Sequence, residues 1–410
     1  MPNHQGYQPL QDEENIPTSP TSNLRFSISN SPEYIHKQSD SKLPEFDTPL
    51  GNFNASTYSS TSGPIIRRHK VSRLFYCIAA MICAAILCST IVITVGLGLH
   101  YRCTNPPFTT TKSFSAPLTS IEVLNVLAHN AVLEFEGASD DDAKDIVFVV
   151  NVGAPSKGEL DQLHINFTSI STTHTLSITG NEDMDMEEFQ SHCLATSIRV
   201  IVPPRHFFNG TLNVNITNGK ITVEEISGWL FGNFYMSNGN MELEDITGAV
   251  STRVALDSGS LELERFQSDE INLEVGSAST ELERVDTYQL DVQLREDAPF
   301  KMKSPLFRSP DSTMNLRAMK GGKNTIKLSG IQQGNISIDA PQSKGSVGVS
   351  SDFCATFECV ADEFELSGNG IQLDASSTGK KKSGVLGSCS PQRSSLNTIT
   401  RGKFKLVVNS

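Results

Sequence analysis

Residues 214–228 read VNITNGKITVEEISG, and the same pattern returns as FYMSNGNMELEDITG at 234–248, VALDSGSLELERFQS at 254–268 and LEVGSASTELERVDT at 273–287. Each unit carries an alternating apolar pair (Val214/Ile216, Phe234/Met236, Val254/Leu256, Leu273/Val275), and in the first three a small-residue turn follows (Asn218-Gly219, Asn238-Gly239, Ser258-Gly259). A second alternating pair comes next: Ile221/Val223, Met241/Leu243, Leu261/Leu263. Alternation at period two marks half-buried strands, and a fixed return of about 20 residues stacks equivalent strands in parallel. The expected fold is therefore mainly β: a single-stranded parallel β-solenoid with irregular β flanks, right-handed by the crossover rule.

Working outward, a third apolar position (Ile226, Ile246, Phe266, Val285) closes each second strand, so aliphatic ladders should fill the interior. Upstream, Ile198 to Val202 reads as a strand, and Leu290 to Leu294 reads as a further one downstream. Weaker strands recur at 325–328, 335–338, 346–349, 364–366 and 404–408, and these irregular flanks are expected to cap the coil.

The stretch 212–294 resembles the adhesin-like β-solenoid domains of unknown function known from bacterial surface proteins. Thr217-Asn218-Gly219-Lys220-Ile221, Ser237-Asn238-Gly239-Asn240-Met241 and Asp257-Ser258-Gly259-Ser260-Leu261 carry the resemblance. The fourth unit departs from it, with Ser277-Ala278 and Thr280 in place of the glycine turn and apolar residue. The resemblance implies a structural coil and an adhesion role, and it brings no catalytic residues.

The rest of the chain sets the topology expected. Leu74 to Leu99 is an uncharged run long enough to cross a hydrocarbon layer of about 30 Å as a helix. Arg67, Arg68, Lys70 and Arg73 precede it, against Arg102 and Lys112 after it, which favours a cytosolic N-terminus. Four Asn-x-Ser/Thr acceptors follow the run, at Asn166, Asn209, Asn215 and Asn335, consistent with N-glycosylation of an exported region. The expectation is a signal-anchored, single-pass (type II) protein of the plasma membrane or a late secretory or vacuolar membrane, touching the bilayer through 74–99. Its divisions are a disordered tail (1–73), the transmembrane helix (74–99), a stalk (100–120), an exported β-solenoid (121–300) and a C-terminal β-rich continuation or second β unit (301–410). The tail is rich in Ser, Pro, Asn and Thr without apolar periodicity. Within it, Tyr7 and Leu10 fit a Tyr-x-x-apolar sorting signal for a clathrin adaptor.

Charge narrows the partners. The formal net charge is -13, and the first 73 residues are balanced at seven basic against seven acidic, so the whole excess lies downstream. Such a surface repels nucleic acid and leaves a glycan, wall polymer or protein as the expected ligand. The exported part has five cysteines: Cys103 beside the membrane run, and Cys193, Cys354, Cys359 and Cys389 as disulfide candidates, Cys354 and Cys359 being close enough to bridge across a turn. Their spacing suggests no zinc site, and no cofactor is implied. Asp140-Asp141-Asp142 and Asn181-Glu182-Asp183-Met184-Asp185 lack EF-hand spacing and read as loops, as does Lys380-Lys381-Lys382. The histidines His164, His174, His192 and His206 are isolated from any nucleophile motif and read as surface or satisfied side chains. Outward glutamates should stack as Glu242/Glu262/Glu281 and Glu224/Glu244/Glu264/Glu283, a solvated acidic face relieved by Arg265 and Arg284. Without a convergent catalytic set, adhesion, ligand binding or a structural surface role is expected; the alternative is a β-helix polysaccharide hydrolase or lyase.

Overall fold

The computed structural model describes residues 81–82, 89, 106–138, 143–180, 194–203, 208–319, 323–387 and 394–409. The chain divides into two compact units, Met1–Val71 and Ser72–Ser410, and all the described residues belong to the second. That unit is mainly β.

Before the repeats come β1 (Phe108–Pro117), β2 (Val123–Gly137), β3 (Asp145–Ala154), the short helix α1 (Lys157–Gln162), β4 (His164–Ile170), β5 (Thr173–Thr179) and β6 (Ala195–Val202). The repeats form β7 (Phe208–Glu224), β8 (Trp229–Glu244) and β9 (Ala249–Glu264), each bent in the middle at its glycine. The next repeats are split at the bend: β10 (Ser268–Val275) and β11 (Ser279–Glu283), β12 (Asp286–Thr287), β13 (Gln289–Leu294) and β14 (Phe300–Lys303), β15 (Leu306–Phe307), β16 (Thr313–Ala318) and β17 (Thr325–Ile331), β18 (Asn335–Ala340) and β19 (Lys344–Ser350). Last are β20 (Ala355–Val360), β21 (Glu363–Ser367), β22 (Ile371–Leu373), β23 (Lys381–Leu386), β24 (Ser394–Thr400) and β25 (Lys403–Asn409).

Equivalent residues of successive repeats pair in parallel and in register. In the first row Val214 lies opposite Phe234, then Val254, Leu273, Val292, Leu316 and Ile338. In the second, Val223 leads to Leu243, Leu263, Leu282, Met302, Leu328 and Val347. These inward side chains are buried and belong to one continuous apolar core. The fourth repeat keeps register although it lacks the glycine bend; its strand simply breaks between Val275 and Ser279.

Two corners explain why the sequence turns where it does. At the bend, Gly219, Gly239 and Gly259 have φ of 136°, 144° and 116° and stack on one another. A Cβ on Gly239 would stand 2.0 Å from the carbonyl oxygen of Gly219, so no side chain fits. After each second strand, Glu225, Asp245, Arg265, Arg284 and Ser304 are all left-handed, with φ between 47° and 54°. Each of these donates its N–H to the carbonyl of Glu244, Glu264, Glu283, Lys303 and Ser329 respectively, one repeat on, at 2.9–3.3 Å. The corner satisfies the backbone at the expense of conformations that L-residues disfavour.

Both ends break the sequential order. At the start, β2 pairs with β7 across a gap of 88 residues, while its other edge takes β5 along the first half and β6 along the second. Antiparallel β4, β3 and β1 then complete that end. At the far end β24 and β25 lie between the β18/β19 repeat and the β20/β21 repeat, so the last strands of the chain sit one layer inside earlier ones. Antiparallel β23 and β22 follow on β20.

Several expectations change. The predicted stalk is partly strand: Phe108–Pro117, rich in Thr and Ser, pairs with β3 along its whole length. The predicted membrane localisation is corrected, because among the described residues no helix is long and apolar enough to cross a membrane. The six residues of α1 would span about 9 Å. Of the run 74–99 only Met81, Ile82 and Ser89 are described, and they are helical; the remainder, and the tail with Tyr7 and Leu10, lie outside the described residues. A Cys354–Cys359 bridge is also overturned. Cys359 is free and buried, its side chain turned inward from β20, whereas Cys354 is disulfide-bonded to a partner outside the described residues, where Cys193 and Cys389 also lie. Lys381 and Lys382 belong to β23 rather than to a loop, with Lys381 paired to Glu358 at 2.8 Å.

Candidate functional site

Because outward side chains also stack at repeat spacing, each strand row presents columns of like residues. The two rows carry different chemistry.

On the second row the acidic columns form as expected, and they are neutralised by bases in neighbouring repeats. Glu242, Glu262 and Glu281 are followed in register by Lys301 and Lys327; Glu244, Glu264 and Glu283 are followed by Lys303. Lys303 bonds Glu281 at 2.5 Å and Glu283 at 3.3 Å, and Lys301 bonds Glu281 at 2.9 Å. Hydrogen bonds from Lys303 and Lys301 hold the Glu281 carboxyl below its ordinary range. Arg265 reaches Glu244, Asp245 and Glu264 together, and its hydrogen bond lowers Asp245. The expected face of solvated acids is thus a structural ion-pair network over most of its length.

The first row is different. Asn125, Asn213 and Asn233 stack in one column as a ladder: the Asn233 amide donates to Asn213 Oδ1 at 2.9 Å, Asn213 donates to Asn125 Oδ1 at 2.9 Å, and Asn125 donates to Thr175 Oγ1 at 3.0 Å. The adjacent column holds Leu127, Asn215 and Tyr235. Phe231 stands on the other side of the ladder, more than half exposed at 54%, and Tyr235 and Leu127 are exposed too. A shallow groove of about 370 Å³ runs among Asn213, Asn233, Tyr235 and Arg253. Arg253 closes the ladder, bonded to Glu274 at 2.5 Å, and Arg295 bonds the same carboxylate at 2.5 Å. Burial opposes ionisation of Glu274, but hydrogen bonds from the two arginines outweigh it and keep its carboxyl below the usual range.

The predicted acceptor sites scatter over the fold. Asn215 is exposed in the column beside the ladder, so a glycan there would cover the groove. Asn166 is exposed on β4, and Asn209 is exposed near the start of β7. Asn335 is half-buried and engaged, accepting from Ser395 at 2.9 Å and donating to Pro310 O at 3.4 Å. His174 is buried beside Phe167 with neither ring nitrogen partnered among the described residues, against the expectation of a surface or satisfied histidine, and His164 is exposed. His192, His206 and the acidic clusters at 140–142 and 181–185 lie outside the described residues.

No protein family matches the chain, and no curated protein matches it either. Among solved structures, a "putative cell adhesion protein" from Clostridium sporogenes is 8% identical over 74% of this chain and 100% of its own, with a TM-score of 0.19. A "putative lipid binding protein" and a "putative adhesin", both from Parabacteroides distasonis, are 11% and 10% identical over 73% of this chain and 97% of theirs, with TM-scores of 0.32 and 0.28. At these scores the likenesses carry no argument about function.

Proposed function

We propose that residues 121–410 wind as a β-solenoid whose first strand row is a non-catalytic binding platform for an uncharged polysaccharide, in an adhesion or structural role. The observation that carries this is the unbroken amide ladder Asn125–Asn213–Asn233 with exposed aromatic and aliphatic side chains on both sides. An amide in such a ladder uses one N–H and one lone pair on its neighbours and keeps others for a ligand. Repetition at the strand spacing of about 4.8 Å offers donors and acceptors to successive hydroxyl groups of an extended chain. The exposed rings of Tyr235 and Phe231 offer apolar faces to the C–H side of a sugar. A neutral ligand fits because Arg253, the cation at the groove, is already matched by Glu274.

The solenoid part is supported by the in-register parallel return of both strand rows. The non-catalytic part is supported at the groove by Glu274, the carboxylate bonded to Arg253, which is shifted down, whereas a glycosidase general acid must be shifted up. The full-length chain should be retained saturably on insoluble cellulose, chitin or mannan without release of reducing sugar. Tyr235→Ala and Asn233→Ala should abolish retention while leaving the melting temperature within a few degrees. Release of reducing ends would instead make the protein an enzyme, and failure to bind any neutral polymer would remove the proposal.

A further inference from the structure

A second concave site lies at the corner between the two strand rows, several repeats beyond the amide ladder. Lys323, Asn324 and Thr325 lead into β17, Lys344 opens β19, and Arg401 and Gly402 form the turn between β24 and β25. Register places these three corners side by side: Thr325 pairs with Lys344, and the Arg401 N–H donates to Ser343 O at 3.1 Å. Together with Gln342 they line a hollow of about 410 Å³.

Three features distinguish this hollow from ordinary solvated basic surface. Lys323, Lys344 and Arg401 converge on it, and among the described residues none of the three has a carboxylate within ion-pair distance, although most other bases of the second row are matched. Two acids stand at its edge, each already hydrogen-bonded, and the Gly402 N–H together with the charges of Lys380 and Arg401 holds Asp362 below the usual carboxylate range. Asp297 accepts the Lys323 backbone N–H, and Asp362 accepts from Gly402 N at 3.2 Å and from Lys380 at 3.2 Å. The third feature is internal: Asn324, only 1% exposed, accepts from Ala298 N through its Oδ1 at 2.6 Å while its Nδ2 has no partner among the described residues. An unpaired buried donor is costly, and a hollow lined by three cations without carboxylate partners is an arrangement that an oxyanion satisfies.

We propose that the hollow lined by Lys323, Asn324, Thr325, Lys344 and Arg401 binds a tetrahedral oxyanion, the sulfate or phosphate group of a ligand. Arg401 supplies a planar fork, the lysines supply point charges, the Thr325 hydroxyl adds a neutral donor, and Asn324 is the buried member of the lining. The overall acidity of the chain disfavours a long polyanion, so the site takes one group rather than a charged backbone.

The test is calorimetric titration of the full-length chain with inorganic sulfate and inorganic phosphate at ionic strength held constant with chloride, then with glucose 6-sulfate and glucose 6-phosphate. Saturable binding of one site per chain is expected, at least about tenfold weaker in the Lys344→Gln/Arg401→Gln double variant. Asn324→Asp keeps the acceptor for Ala298 and replaces the donor with a negative charge, so it should abolish binding while circular dichroism is unchanged. Lys327→Gln removes an exposed lysine of the second row and should leave binding intact. Tighter binding of one sugar ester than of its inorganic ion assigns the source as that ester; equal affinity assigns the free ion. Absence of saturable heat, or an equal loss in Lys327→Gln, overturns the site.

Discussion

Gly239 and Glu225 occupy equivalent left-handed needs in opposite ways. At Gly239 the neighbouring backbone leaves no room, with Gly219 O 2.0 Å from the place of a Cβ, and φ is 144°. Gly239→Ala should therefore destabilise by about 3 kcal/mol, combining a disfavoured backbone with displacement of the adjacent repeat. At Glu225 a non-glycine residue already holds φ of 52° without an ion pair among the described residues, so the strain is uncompensated by its side chain. Glu225→Gly should raise stability by roughly 1 kcal/mol, the relief of the left-handed conformation less the added freedom of the unfolded chain. Urea denaturation of the two variants checks both signs, and a stabilised Gly239→Ala would contradict the close stacking of the bend. Cys359 belongs at this scale too: burial pushes its thiol up to about 11, so the buried thiol is protected from alkylation while the fold is intact.

At the scale of the element, stability depends on matching charges between stacked strands. Glu365 on β21 receives Lys403 at 2.5 Å and Lys405 at 2.6 Å from β25, and these hydrogen bonds hold its carboxyl at about 2. A carboxyl whose folded value lies below its unfolded value, about 4.3 for glutamate, contributes stability above the unfolded value and loses it as pH falls through the folded one. Asp245, Glu274, Glu281 and Asp362 are shifted in the same direction. Melting temperature should accordingly fall between about pH 5 and pH 2, and Glu365→Gln should flatten part of that fall. A melting temperature independent of pH across that window would mean the ion pairs are solvent-screened to nothing. The pairing that creates these contacts was only partly legible in the amino-acid string. Repeats 214–287 announced their strands, their bend and their acidic columns because each signal recurs every 19 or 20 residues. The amide ladder was half visible, since Asn213 and Asn233 share one repeat position, but Asn125 joins them from 88 residues away through β2. The oxyanion hollow left no local trace at all, because Lys323, Lys344 and Arg401 meet only when the last strands insert between earlier ones.

At the scale of the whole β unit, that insertion decides how the array comes apart. A stack in which each repeat touches only its neighbours unfolds from its ends, and its stability is a sum of nearest-neighbour terms. Here the far end is closed by a return: β24 and β25 bridge β18/β19 to β20/β21, burying Leu396, Phe404 and Leu406 between them. The start is closed likewise by β2, which holds β5, β6 and β7 together. Trp229, the single tryptophan, is fully buried in the central repeats against Phe234 and Phe266, and so reports on the middle of the stack. In the intact chain, urea should move Trp229 fluorescence and far-ultraviolet circular dichroism in one coincident transition, because neither end is free to fray. Removing residues 394–410 leaves Ile338 and Val347 facing an unfilled layer, which uncouples the end from the centre. The truncated chain should lose dichroism first and Trp229 burial later. Coincident transitions after truncation would mean that the central repeats never relied on the inserted strands, and that cooperativity comes from the β2 end alone.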